Sequence, residues 1–205
     1  MASTLLYLVR HGARQHPPAG GDPDPGLSPL GKQQARLLGP RLADVPFDVL
    51  LHSPLRRATQ TAQILSGYLP GVPVRPSGLL RDRTAGPAGD QDGTLPEQYR
   101  AFLDKVPPDE RDPGAQHLNA AVDQLMTTGS SDRCELLVTH NYVIGWFVRH
   151  ALDAPWWRFI GLYQVNCSLT IIEASAGAPP VLVSFNDVGH LPVPLRGHLP
   201  VPLRS

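Results

Sequence analysis

The chain has no surplus of charge: 18 lysines and arginines are matched by 18 aspartates and glutamates. Without a global field it is expected to bind neither nucleic acid nor an anionic membrane, and any anion site must be local. It has only two cysteines, Cys134 and Cys167, far apart and in or beside predicted strands. Two buried thiols are expected rather than a disulfide, in keeping with a cytoplasmic protein. No Cys or His cluster has the spacing of a zinc site, so neither a metal nor a cofactor is expected. The opening residues show no basic lead and no long apolar stretch, so neither a signal peptide nor a membrane span is expected.

What is present suits one globular domain: 205 residues, 41% hydrophobic and 18% charged. That length allows a substantial core. The domain is expected over residues 1–188, followed by a Pro-rich tail over 189–205. There Gly189–Arg196 (GHLPVPLR) is repeated at once over 197–204. Two Pro-rich octapeptides cannot build a repeat fold, which leaves an extended arm or an accident of sequence.

Leu5-Leu6-Tyr7-Leu8-Val9 reads as a strand buried on both faces, and it stops at Arg10-His11-Gly12. Open α/β sheets bind ligands where their strands end. Taken alone, the triplet reads equally well as a solvated strand end. The next elements weigh against that. Ser28-Pro29 starts a helix, Ser as N-cap and Pro at the first helical position, running to about Ala43 with Leu30, Gln34, Leu38 and Leu42 along one stripe. Asp48–His52 is a second buried strand, and Ser53-Pro54 caps a second helix with Arg56 and Arg57 in its first turn. Cations there oppose the helix dipole, a cost that a bound anion relieves. Adjacent helical residues point about 100° apart, so only one of the two can face a pocket.

A short strand is expected at Val72–Val74, then a structureless functional loop from Arg75 to Leu95 carrying Asp82, with Asp90 and Asp92 in reserve. Helices are expected over Pro96–Val106 and Gln116–Thr128. Cys134–Thr139 repeats the opening pattern, a buried strand ending in His140-Asn141, and a buried helix follows to Leu152. Trp156 and Trp157 read as packing residues. Strands are expected at Ser168–Glu173 and Val181–Phe185, the second a candidate for antiparallel pairing. His16 reads as a surface residue, while Arg14 can fold back to add a third guanidinium to the strand end. Arginines and histidines converging on one sheet edge specify a pocket for a dianion, since guanidinium forks match phosphate oxygens in pairs.

These motifs resemble the histidine phosphatase superfamily, the phosphoglycerate-mutase-like proteins. Its hallmark Arg-His-Gly stands as Arg10-His11-Gly12. The likeness continues through Leu27-Ser28-Pro29-Leu30-Gly31, through Ser53-Pro54-Leu55-Arg56-Arg57-Ala58, and through Val138-Thr139-His140-Asn141, covering Leu5 to about Asp187. The resemblance implies an α/β fold: a single-domain, three-layer α/β/α sandwich with a mostly parallel central sheet. It also implies metal-independent phosphomonoester hydrolysis, with His11 as the nucleophile that becomes phosphorylated. Arg10, Arg57 and His140 are then the groups that hold the phosphoryl oxygens, with Arg14 and Asn141 beside them as substrate contacts. The family places its arginine directly before the alanine, which selects Arg57 over Arg56. Its general acid/base is usually a glutamate in a Leu-Arg-Glu context. Here Leu80-Arg81-Asp82 offers an aspartate, one methylene shorter.

The chain departs from the cofactor-dependent mutases, which are longer and follow Arg-His-Gly with a Glu-Ser segment where this chain has Ala13-Arg14. It departs from the large secreted acid phosphatases, which need a His-Asp pair where this chain has His140-Asn141. A closer likeness is to the phosphoglycerate-mutase-like Ser/Thr protein phosphatases, carried by Leu51-His52-Ser53, Leu69-Pro70-Gly71-Val72, Leu79–Asp82 and Asp187-Val188-Gly189-His190. A phosphoprotein substrate, on Ser/Thr or His, is the reading this favours. Small phosphate esters such as sugar phosphates are the alternative. A phospho-binding module without turnover is a third reading, favoured only by the aspartate at 82. No residue pattern speaks to oligomeric state.

Overall fold

A computed structural model describes residues 2–16, 18, 20–87 and 95–197. Among these residues eight strands and five α-helices follow in chain order: β1 (Ser3–Arg10), α1 (Pro29–Leu42), β2 (Val49–His52), α2 (Arg56–Ser66), β3 (Val74–Pro76), β4 (Thr84–Gly86), α3 (Glu97–Leu103), β5 (Arg111–Pro113), α4 (Gln116–Leu125), β6 (Arg133–Thr139), α5 (Asn141–Ala151), β7 (Leu169–Ser175) and β8 (Val181–Asp187). Six strands form one sheet in the order β3-β2-β6-β1-β7-β8. The four from β3 to β1 run parallel, with Tyr7 opposite Leu136 and Leu50 opposite both Leu136 and Val74. Both β7 and β8 are antiparallel to their neighbours, so the reversal begins one strand earlier than expected.

The pleat divides the core into two layers. Leu6, Leu8 and Leu137 face one side and pack with Leu118 and Val122 of α4 and Val143 and Phe147 of α5. Val9, Leu136 and Val138 face the other and meet Ala35 and Leu38 of α1 and Ala58, Ala62 and Leu65 of α2. Side chains alternate across a strand, so a continuous apolar run is what a sheet covered on both faces requires. The result is the expected three-layer α/β/α sandwich around a mostly parallel sheet.

Several local expectations need correction. The third strand begins at Val74, because the carbonyl of Pro73 just before it already accepts from Leu50 N. The stretch from Arg75 is not structureless: a 3-10 turn over Gly78–Leu80 buries Leu80 completely, and β4 pairs in parallel with β5. Strands of three residues are too short for alternation to reveal. Asp90 and Asp92 lie outside the described residues, as does the repeat beyond Gly197. Cys134 is only half buried, whereas Cys167 is fully buried, and both are free thiols.

The first octapeptide folds back as an ordered strap rather than extending as an arm. Leu191 is buried, Val193–Leu195 form a 3-10 turn, and the Leu195 carbonyl accepts from Gln34 Nε2 at 2.7 Å. The other end of that buried amide, Gln34 Oε1, accepts from Ala13 N at 2.9 Å. His190 Nε2 lies 2.9 Å from the Cys167 carbonyl, and Cys167 N in turn donates to Arg10 O at 2.8 Å. The strap thus braces residues 10–13 from two sides, because a single leucine finds a buried seat.

Candidate active site

The ladders of the central strands carry one residue past their ends. His11 N donates to Thr139 O at 2.9 Å, and Ser53 N donates to Val138 O at 2.9 Å. The side chains that follow β1, β2 and β6 are thereby fixed side by side. Gly12 then turns the chain under the start of α1. A Cβ on Gly12 would stand 2.5 Å from the Gly31 carbonyl oxygen, and one on Gly31 would stand 2.1 Å from that of Ala13. Only glycine at both places permits this approach. Ser28 caps α1 as expected, accepting from Gly31 N at 3.1 Å.

His11 is 6% exposed. Its Nδ1 lies 2.7 Å from the Gly12 carbonyl, so that nitrogen carries the proton and Nε2 keeps a lone pair. Nε2 receives Arg57 Nε–H at 3.2 Å. Burial, then the neighbouring His140, Arg57 and Arg10, push the imidazole pKa well below its ordinary 6.5. A neutral ring with a free lone pair is a nucleophile.

Donors surround it. Arg10 reaches the Gln164 carbonyl through Nη1 and lies over the Tyr163 ring at 5.3 Å, while its buried Nε has no hydrogen-bond partner among the described residues. His140 is 1% exposed, with its ring centroid 5.1 Å from that of His11. Burial, then Arg57, Arg10 and Arg81, hold its pKa well below 6.5. Its Nε2 lies 2.8 Å from Ser53 Oγ. The Asp82 carboxylate 3.4 Å from Nδ1 favours the ring proton on that nitrogen, with the Ser53 hydroxyl then donating to Nε2. Among the described residues that buried Nδ1 has no hydrogen-bond partner; it lies 3.4 Å from Asp82 Oδ2 in a contact that does not meet hydrogen-bond geometry.

Ser53 is therefore not the cap of α2. The helix starts at Arg56, and Arg56 N donates to Asp24 Oδ2 at 2.8 Å, a carboxylate from a distant loop. Arg56 turns outward to pair with Asp22. Arg57 turns inward, 6% exposed, as its place before the alanine implied. Its Nη2 donates to Asp82 Oδ2 at 2.8 Å, and its Nη1 lies 3.5 Å from Asp24 Oδ1.

Arg10, His11, Arg57 and Asp82 face a cavity of about 380 Å³. Arg14 lines its mouth as expected, and so does His16, which is exposed. Asn141 also lines it, although its amide is already engaged: Nδ2 to Leu162 O at 3.3 Å and Oδ1 from Gln164 N at 2.9 Å. His140 stands behind this wall rather than in it. Sequence reasoning missed Tyr142, Tyr163, Asn166 and Glu110 on the cavity and Ser53 behind it. Tyr142 had a signal in its place directly after His140-Asn141. Glu110, in a Pro/Asp-rich turn, had none. Among the described residues no three His, Cys, Asp or Glu side chains are grouped where they could hold a metal ion. No described helix is long and apolar enough to cross a membrane.

Residues 6–188 match the family model of the histidine phosphatase superfamily, branch 1. The mitochondrial serine/threonine-protein phosphatase Pgam5 of Caenorhabditis briggsae is 30% identical over 213 aligned positions, covering 93% of this chain and 65% of that protein. The chain thus spans a little under two thirds of that relative's length. Among solved structures, YhfR of Bacillus stearothermophilus is 25% identical with a TM-score of 0.69, covering 91% of this chain and 98% of the other. The alpha-ribazole phosphatase of Shigella flexneri shares the fold at 21% identity and a TM-score of 0.66, covering 89% and 96%.

Proposed function

We propose that this chain, which belongs to branch 1 of the histidine phosphatase superfamily and is a phosphatase, hydrolyses phosphate monoesters through a phosphoryl group carried on His11. One observation supports this most: the neutral His11 ring presents its Nε2 lone pair beside the guanidinium groups of Arg57 and Arg10, the Nε of Arg10 having no hydrogen-bond partner among the described residues. A substrate phosphoryl group takes up the Arg10 guanidinium, with His140 behind it. It also draws Arg57 Nε–H from Nε2 to a phosphoryl oxygen, which frees the nucleophile. Nε2 then attacks phosphorus in line, the N–P bond forms and the ester P–O bond breaks. Positioning and charge neutralisation supply most of the acceleration in such transfers. In the second half water attacks the phosphohistidine, and the N–P electron pair returns to His11. Asp82, already an acceptor toward Arg57, takes the proton of that water.

The substrate class we propose is a phosphorylated polypeptide, on serine or threonine. The support is the likeness over 93% of the chain to relatives named serine/threonine-protein phosphatase. Comparing kcat/KM for phosphoserine and phosphothreonine peptides with the free phosphoamino acids and sugar phosphates tests it. The peptides are expected to be the better substrates. Equal or higher values for the free esters would overturn the polypeptide reading and make this a small-ester phosphatase.

A further inference from the structure

The cavity beside His11 is overlooked by two carboxyl groups, and they are held very differently. Asp82 Oδ2 accepts from Arg57 Nη2 at 2.8 Å and faces His140 Nδ1 at 3.4 Å. A carboxylate in a charge-assisted bond with a guanidinium is a built-in acceptor. Glu110 also lines this cavity and, with Asp82 and Arg57, a second cavity of about 290 Å³ adjoining it. Among the described residues the Glu110 carboxyl has neither a hydrogen bond nor an ion pair.

Glu110 is nonetheless held in place through its backbone. It closes the 3-10 turn Pro108–Glu110, with its N–H on the Pro107 carbonyl at 3.0 Å. The next residue, Arg111, opens β5 and pairs with Thr84 of β4, so the residues just before them, Arg83 and Glu110, come side by side. Arg83 Nη1 clasps the carbonyls of both Asp82 and Asp109. One guanidinium therefore sets the spacing of the two segments that carry the carboxyl groups. The charges facing Glu110 are Asp82 and Asp109 against Arg57 and Arg14, and Tyr142 also feels both carboxyl groups. Burial first, then the charge of Asp82, raises the Glu110 pKa, which favours the protonated form a donor needs.

We propose that Glu110 is the catalytic proton donor to the leaving oxygen, and that Asp82 serves only as the acceptor for the hydrolytic water. The assignment rests on the phosphohistidine reading. In the first half His11 Nε2 bonds to phosphorus, the P–O electron pair goes to the leaving oxygen, and that oxygen takes the Glu110 proton. In the second half water adds to phosphorus, the N–P pair returns to His11, and Asp82 takes the water proton. The cycle closes when solvent exchanges that proton from Asp82 back to Glu110.

The test is the rate of phosphoenzyme formation in a pre-steady-state burst, measured for a series of phosphate esters of differing leaving-group pKa. Glu110→Gln is expected to slow phosphorylation of His11 by alkyl phosphates by about 10²-fold or more, the scale of general acid catalysis. p-Nitrophenolate leaves as an anion, so its phosphate should be far less affected, and the dependence on leaving-group pKa should steepen. A purely structural role would lower all rates together. Asp82→Asn should slow the decay of the phosphoenzyme without steepening the dependence of the burst rate on leaving-group pKa. Unchanged burst rates in Glu110→Gln, or a leaving-group-dependent loss in Asp82→Asn instead, overturn the assignment while the phosphohistidine reading stands. Absence of any label on His11 in the unaltered protein overturns both.

Discussion

The two ends of the site are built in contrasting ways. The phosphate end, as proposed, stands on the central sheet: Arg10 ends β1, His11 and His140 directly follow β1 and β6, and Arg57 sits in the first turn of α2. His11, Arg57 and His140 are all buried. The leaving-group end hangs on a 3-10 turn, a two-stranded sheet of three-residue strands and the Arg83 clasp. Asp82 and Glu110 are half exposed there. On the proposed reading, the chemistry common to every phosphate monoester is fixed by rigid elements, while the part that meets the variable alcohol lies on short ones. Rigid positioning favours precise chemistry, and loops tolerate change.

The comparison is sharpened most by the paired arginines. Arg57→Ala should lower kcat/KM by roughly 10²–10³-fold, the scale for removing one donor to transition-state charge. Arg56→Ala, losing only an outward pair with Asp22, should cost less than about tenfold, as exposed pairs do. Equal losses in steady-state assays would break the inward–outward distinction.

Next comes Ser53, which supports the phosphate end from behind. Ser53→Ala removes the partner of His140 Nε2 and with it part of the preference for a proton on Nδ1. A loss of about 10–100-fold in kcat is expected, by analogy with partners that orient metal-bound histidines. Nitrogen-15 chemical shifts of the His140 ring should show the tautomer change. Full activity with an unchanged tautomer would make Ser53 a packing residue.

The smallest effect concerns pH. His11 and His140 have folded-state pKa values below 6.5, so they stay neutral in the native protein where the unfolded chain already takes up protons. Their contribution is complete above pH about 6.5 and shrinks as pH falls from there toward the folded values, by up to about 1.4 kcal/mol per pH unit for each ring. Urea unfolding at pH 7 and at pH 5.5 should show this loss, and His140→Asn should reduce it. Stability that rises on acidification would mean the rings are charged in the native state.

Much of this contrast was legible in the chain. The buried runs at β1 and β6 mark both strand ends, and the Arg57-Ala58 order selects the inward arginine. What was hidden depends on contacts distant in sequence. Asp24 serves α2 from 32 residues away, so the nearer Ser53 looked like the cap although its hydroxyl belongs to His140. Strands β4 and β5 are too short to show a period, and their pairing, with the Arg83 clasp, brings Glu110 beside Asp82. The first octapeptide looked like an arm because proline content conceals one buried leucine, Leu191.

The central claim is that the phosphoryl group passes through His11. Rapid quenching without acid during turnover of a labelled phosphate ester tests it directly, followed by mapping of the label. The phosphate should sit on His11 as a phosphoramidate, stable to alkali and labile to acid, and His11→Ala should lose both label and turnover. Label on a serine or an aspartate, or turnover surviving in His11→Ala, would contradict the account.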